Sequence, residues 1–273
     1  MGVAIIGCGA IGSYLARSLD KGIIEDLEVK VLYDKILERA RSLSSSLSCR
    51  PRIAETLQDV TCSEDVSLVI EAASQEAVRS YALEILESGK SLMIMSVGAL
   101  ADPDLFRRLK KMAETKGVRL YIPSGAIAGL DAVKAAGMAG ISRVTLTSRK
   151  PLRVFEGNPY IKSKGIDLSR LEEPIVVYEG SASEACRLFP FSINVAATLS
   201  LASIGPERVR VRIIADPRAQ GNIHEVVVEG DFGRLECRTI NKPTPENPKT
   251  SFLAALSALA TLKKAVDKVH IGT

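Results

Sequence analysis

The stretch Val3-Ala4-Ile5-Ile6-Gly7-Cys8-Gly9-Ala10-Ile11-Gly12 constrains the fold of this chain more than any other. Its four leading apolar residues read as a buried strand, and the residues after Gly9 take up helical spacing. Between them the glycines form G-x-G-x-x-G at a strand-to-helix turn. There the first glycine permits a tight turn, the second lets a ligand approach the backbone, and the third permits close helix–strand packing. The amides of Gly9, Ala10, Ile11 and Gly12 at the start of the helix then face a phosphate.

The surrounding chain supports that setting. Short apolar runs at Val3–Ile6, Val29–Tyr33, Leu68–Glu71, Leu92–Met95 and Arg119–Ile122 alternate with helical patterns near 11–20, 35–47, 75–88 and 102–115. Asp102-Pro103 is a helix start, and Gly89 and Gly117 stand where helices should stop. Continuous apolar strands separated by helices imply a parallel sheet covered on both faces. The second strand ends at Asp34, roughly 20 residues past Gly12, where a carboxylate accepts hydrogen bonds from a ribose. The pattern is a dinucleotide site. Asp34 favours NAD, since a carboxylate repels a 2′-phosphate, while the neighbouring Lys35 leaves use of NADP open.

After Pro123 the pattern changes. A small-residue helix, a long strand over "SRVTLTSRKPLRVF", a polar loop near 156–173 and the strand "PIVVYEG" precede helices near 181–188 and 194–204. Strand-like runs at 207–214, 223–229 and 233–240 follow, the last two joined by a tight hairpin at Gly230-Asp231 and Gly233. The fold class expected is α/β: a Rossmann-type parallel-sheet domain plus a mixed α+β domain. The Ala- and Leu-rich C-terminal helix returns to the first domain. Residues 1–122 and 246–273 are assigned to dinucleotide binding. Residues 123–245 are assigned to substrate binding, catalysis and dimerisation.

Charge and cysteines narrow the partners. The net charge of +4 is mild and its sources are scattered, with no aromatic interleaving, so a small anionic ligand is favoured over nucleic acid. No uninterrupted apolar run reaches the roughly 18 residues of a membrane span. The run from Val3 has no basic region before it and reads as a strand, not a leader, so a cytoplasmic protein is expected. Cys8, Cys49, Cys62, Cys186 and Cys237 form no C-x-x-C pair, which suits reduced thiols and no metal site. Cys8 serves as a small apolar filler of the glycine turn.

A redox nucleotide calls for a group that handles a proton, and His is the usual agent near neutral pH. The chain has two histidines. His270 follows the last helix, where it relieves the helix dipole without any chemistry. His224 opens the strand "HEVVVEG" and by alternation shares a face with Val226 and Val228, so it is the catalytic candidate. The loops "MSVGAL" at 95–100 and "PSGAIAG" at 123–129 are places where a flat ring can approach backbone, and Ser124 in the second is a candidate substrate contact. Lys249 and Thr250, with Ser251, gather before the last helix. They either bind a substrate carboxylate or cap the helix.

The ordered set "GCGAIG", "MSVGAL", "PSGAIAGLDA", "NVAATLSLA", "GNIHEV" and "NPKTS" resembles the L-aspartate dehydrogenase family of NAD biosynthesis across nearly the whole chain. The resemblance implies an active-site histidine at His224 and cofactor contacts at Ala126 and Asn194. Asn194 otherwise reads as a helix N-cap. It also implies a homodimer and a substrate, L-aspartate, that is oxidised to iminoaspartate and hydrolysed to oxaloacetate and ammonia. Hydride leaves Cα only when the amine is neutral. Two alternatives are a reductase of similar plan, of the dihydrodipicolinate or homoserine type, and a non-catalytic NAD-responsive binding protein. The polar stretch 43–62 departs from expectation for a compact third strand.

Overall fold

The computed structural model describes residues 1–190, 193–244, 247 and 250–272. It contains two compact units, Met1–Pro123 with Ala258–Val269, and Ser124–Ser257 with His270–Thr273. The seam therefore falls inside the last helix, beyond the expected start of the returning segment at 246.

The first unit runs β1 (Gly2–Ile6), α1 (Ala10–Asp20), β2 (Glu28–Tyr33), α2 (Leu37–Ser46), β3 (Arg52–Ala54), α3 (Leu57–Thr61), β4 (Leu68–Glu71), α4 (Gln75–Glu87), β5 (Ser91–Ile94), α5 (Pro103–Lys116) and β6 (Leu120–Tyr121). Every strand pair is parallel, in the order β3-β2-β1-β4-β5-β6. That order reverses direction between β1 and β4, and the crevice beyond the strand ends at such a point is where doubly wound sheets bind ligands. Asp102 caps α5 by accepting from the amides of Asp104 and Leu105, and Gly117 ends it in the left-handed region.

The polar stretch 43–62 does contain a third strand. β3 has only three residues, and Thr56 and Asp59 start α3 as a reciprocal capping box. An edge strand this short needs little apolar sequence, because only one side is paired.

The second unit runs α6 (Leu130–Ala136), β7 (Ile141–Pro151), α7 (Pro159–Ser163), β8 (Ile175–Ser181), α8 (Ala182–Leu188), α9 (Asn194–Leu201), β9 (Arg210–Asp216), β10 (Ile223–Gly230) and β11 (Gly233–Ile240), and α10 (Phe252–Val266) closes the chain. Its sheet has the order β11-β10-β7-β9-β8, antiparallel except for β7 beside β9. One face buries Val144, Leu146, Val211, Ile213, Val226 and Val228. On the other, Arg149, Glu225 and Val227 are half-buried, and Arg212 and Arg238 are exposed.

Three local expectations are corrected here. The polar segment 156–173 is not all loop: Asn158 caps α7, and Tyr160 packs edge-on against Tyr178 and Phe189. Asn194 is the first helical residue of α9 and not its N-cap, a position held by Ile193. The last helix ends at Val266, so His270 lies beyond the turn whose dipole it was expected to relieve. The return of that helix to the first unit holds, since Ala258, Leu259 and Leu262 of α10 belong to the core that contains Leu15, Leu19 and Ile70.

Candidate active site

The three glycines of the turn divide by what surrounds them. Gly7 has φ +96°, and a Cβ on it would lie 2.7 Å from the backbone of Ala72 and Ala73. A Cβ on Gly12 would lie 1.9 Å from the carbonyl oxygen of Gly7. Both are glycine because the protein's own packing requires it. At Gly9, by contrast, φ is an ordinary −77°, the residue is exposed, and nothing lies within 4 Å of an added Cβ. Packing among the described residues does not call for a glycine there, whereas close approach of a pyrophosphate to the backbone would. No side chain caps α1, and Ala10 and Ile11 are half-buried at its mouth, so its first amides are left to an anion. Gly9→Ala is accordingly expected to fold with an unchanged melting temperature yet to weaken NAD binding by about 10-fold or more, the equivalent of about 1.4 kcal/mol. Gly12→Ala is expected to lose the fold. Titration calorimetry beside thermal melts checks both, and equal losses of stability would remove the distinction.

Asp34 faces the same turn. Its Oδ2 accepts from the Cys8 amide and its Oδ1 from the Ile36 amide, each at 2.8 Å. The cleft beside it is lined by Gly7, Gly9, Tyr33, Ser74 and Tyr81 and by two cations, Lys35 and Arg39. Arg39 is a site residue that the sequence alone did not single out. Its signal was a basic residue in the first turn of the helix after the acidic strand end. Cys8 is buried, and burial with the nearby Asp34 charge pushes its thiol up to about 12, which fits an inert filler. Glu71, at the end of β4, is buried too; burial raises its pKa even though the amides of Ala73, Ser74 and Ser96 and the Ser96 hydroxyl all donate to it. These bonds tie down the "MSVGAL" loop. Its Val97–Ala101 segment is a wholly buried 3-10 turn, not an open glycine loop.

In the second unit His224 is 3% exposed and pairs with Ser148 across the β10–β7 ladder. Its Nδ1 lies 2.9 Å from Ser148 Oγ. Burial and the charge of Lys150 hold the imidazole well below its ordinary pKa, so it is neutral near pH 7. Lys150, two residues beyond Ser148 on the same face, is 2% exposed, and burial pulls its ammonium down to about 7. Polar groups thus occupy one end of a face that is otherwise valine, leucine and isoleucine.

Of the other expected residues of this unit, Ala126 is bonded to the second sheet. Thr239, opposite His224 on β11, donates through Oγ1 to the Ala126 carbonyl at 2.8 Å, and Asn241 Nδ2 donates to the same oxygen at 3.2 Å. The loop before it is fixed by Gly125, whose amide donates to Ser257 Oγ and whose missing Cβ leaves room for Val195, next to Asn194. Ser124 is half-buried in that loop. Thr250 is half-buried and accepts through its carbonyl from the Thr244 amide, while its neighbour Ser251 accepts from Asn222 Nδ2. Lys249 lies outside the described residues. Ser148, Lys150 and Asn222 were missed. Their signal was alternation: Val144, Leu146, Ser148 and Lys150 share one face, as do Asn222 and His224.

Comparison with known proteins fits both units. Residues 7–123 match the NAD-binding domain model of homoserine dehydrogenase, and residues 131–265 match the C-terminal domain model of aspartate dehydrogenase. L-aspartate dehydrogenase of Methanosarcina barkeri is 47% identical over 271 residues, and that of Methanosarcina mazei 48% over 272, each covering 99% of both chains. The crystal structure of aspartate dehydrogenase from Thermotoga maritima superposes with a TM-score of 0.75 at 34% identity, covering 100% of this chain and 99% of that one. An NAD-type turn, a buried histidine on the second sheet and full-length likeness therefore agree, and the chain belongs to the L-aspartate dehydrogenase family.

Proposed function

We propose that the chain oxidises L-aspartate with NAD to iminoaspartate, which water converts to oxaloacetate and ammonia. Full-length likeness to the L-aspartate dehydrogenases is the observation that carries this reading. NAD, when bound, supplies the acceptor for the hydride that leaves Cα. The chain's own residues do the rest. Amides at the start of α1 hold the pyrophosphate over Gly9, and Asp34 takes the adenine ribose. Ala126 and Asn194 contact the cofactor, and Ser124, Thr250 and Lys249 contact the substrate. His224 takes the proton that the substrate ammonium must lose before hydride can leave, or the proton of the water that attacks the imine. That requires the Nε2 lone pair, so Nδ1–H donates to Ser148 Oγ and fixes the tautomer. Among the described residues Nε2 has no hydrogen-bond partner.

The test is NADH formation from a panel of amino acids. L-aspartate should stand at least about 100-fold above L-alanine and L-homoserine in kcat/KM, since two carboxylates rather than one are bound. No turnover with any amino acid would leave only the nucleotide-binding reading. Exposed Lys35 and Arg39 also support use of NADP. Arg39→Ala should raise KM for NADP by about 10-fold and leave KM for NAD little changed, because only NADP carries the extra phosphate. Equal effects on the two nucleotides would assign Arg39 elsewhere.

The iminoaspartate would feed NAD biosynthesis, and a gene deletion that leaves NAD synthesis intact would contradict that. The half-buried Val227 and exposed Ile240 on the second sheet's outer face, among Arg238–Glu225 and Arg212–Glu179 pairs, support a homodimer built on that face. Light scattering at the mass of one chain would exclude it. A cytoplasmic location suits the free cysteines, and fractionation tests it.

A further inference from the structure

Lys150 and Asn222 bind nothing in the mechanism above, yet both side chains are buried on the face that carries His224. On β7 Lys150 follows Ser148 by two residues, and on the approach to β10 Asn222 precedes His224 by two. The ladder pairs Ser148 with His224 and Arg149 with Ile223, so Lys150 at the end of β7 and Asn222 just before β10 come next on the same face, side by side. The Lys150 side chain is 2% exposed and no carboxylate among the described residues offsets its burial, although its ammonium tip is not sealed off as Asn222 Oδ1 is. Asn222 is 8% exposed; its Nδ2 donates to Ser251 Oγ at 2.9 Å, but its Oδ1 is buried without a partner.

Both omissions are costly, because a folded interior ordinarily satisfies its amide oxygens and pairs its cations. A methionine would fill the space of Lys150 without that penalty. What the two groups lack is complementary: an anion for the ammonium, a donor for the amide oxygen. An α-amino dicarboxylate offers both, a few bonds apart, beside the imidazole that handles its proton.

We propose that Lys150 binds a carboxylate of the substrate and that Asn222 Oδ1 accepts a hydrogen bond from its amino group. The two residues thereby seat Cα next to His224. This inference rests on the L-aspartate dehydrogenase reading.

The experiment is steady-state kinetics on Lys150→Met, Lys150→Arg and Asn222→Leu, with succinate, a dicarboxylate without an amine, as competitive inhibitor. Lys150→Met should raise KM for L-aspartate and Ki for succinate together by about 10–100-fold, the range of a charge-assisted hydrogen bond. KM for NAD should stay put, which a merely structural role would not permit. Lys150→Arg should recover part of the loss. Asn222→Leu should raise KM for L-aspartate and leave Ki for succinate unchanged. An unchanged Ki in Lys150→Met, or a fall in kcat with KM intact, would overturn the carboxylate role. A Ki that moves equally in Asn222→Leu would overturn the amine contact. If the wild-type chain does not oxidise L-aspartate at all, the functional reading itself has failed. Succinate binding to wild type and Lys150→Met by calorimetry then still decides whether Lys150 holds a carboxylate.

Discussion

His224→Ala is expected to lower kcat for L-aspartate by about 10²–10⁴-fold, the usual worth of a positioned general acid or base, and to leave the Kd for NAD within about a factor of two. The expectation follows from where the ring is. It sits on β10 in the second unit, bonded to Ser148, whereas the glycine turn and Asp34 belong to the first unit and do not depend on it. Burial and Lys150 keep the ring neutral down to well below the ordinary value, so a base is available at neutral pH. Activity should fall on the acid side, as pH drops through that depressed value and the ring takes a proton. Ser148→Ala, which frees the tautomer but keeps the ring, should cost less than His224→Ala. A His224→Ala enzyme with wild-type turnover would remove the histidine from the chemistry.

Lys150→Met is expected to be more stable than the wild-type chain at pH 7 by roughly 3–5 kcal/mol, while binding its substrate poorly. The magnitude comes from the ammonium, which burial pulls from its ordinary 10.5 to about 7 in the fold. Each unit of such a difference is worth about 1.4 kcal/mol. Between those two values the unfolded chain holds a proton that the folded chain has shed, so falling pH favours unfolding over that window. The wild-type penalty is therefore absent above about pH 10.5, grows down to about pH 7, and is constant below. Methionine has no such term. Urea unfolding of both chains across that range should show curves that converge in alkali and separate toward neutrality. Parallel curves would mean that Lys150 is not buried as an unpaired amine. Stability lost in exchange for a binding group is the usual signature of a functional site.

Most of the first unit was legible because its signals are local. Glycine spacing, an Asp at a strand end, the Asp102-Pro103 start and the Gly117 stop each act within a few residues. β3 was hard to read because its surroundings are polar and a three-residue edge strand carries almost no periodicity, although the Thr56–Asp59 capping box beside it was readable. Within the candidate site, His224 stood out as one of two histidines. Ser148 and Lys150 did not, since serine and lysine at the end of a strand usually face water. Their meaning depends on strand register, which pairs β7 with a segment far along the chain. Arg39 was hidden for the same reason, as an exposed cation on a helix until the fold sets it beside Asp34.

Everything above requires that hydride leave Cα of L-aspartate for the nucleotide held at the glycine turn. Turnover of L-aspartate deuterated at Cα, with mass analysis of the reduced nucleotide, tests it most directly. One deuterium is expected in each NADH formed, with oxaloacetate and ammonia appearing in equal amounts. Reduced nucleotide without deuterium, or deuterium lost to water while no nucleotide is reduced, would contradict it.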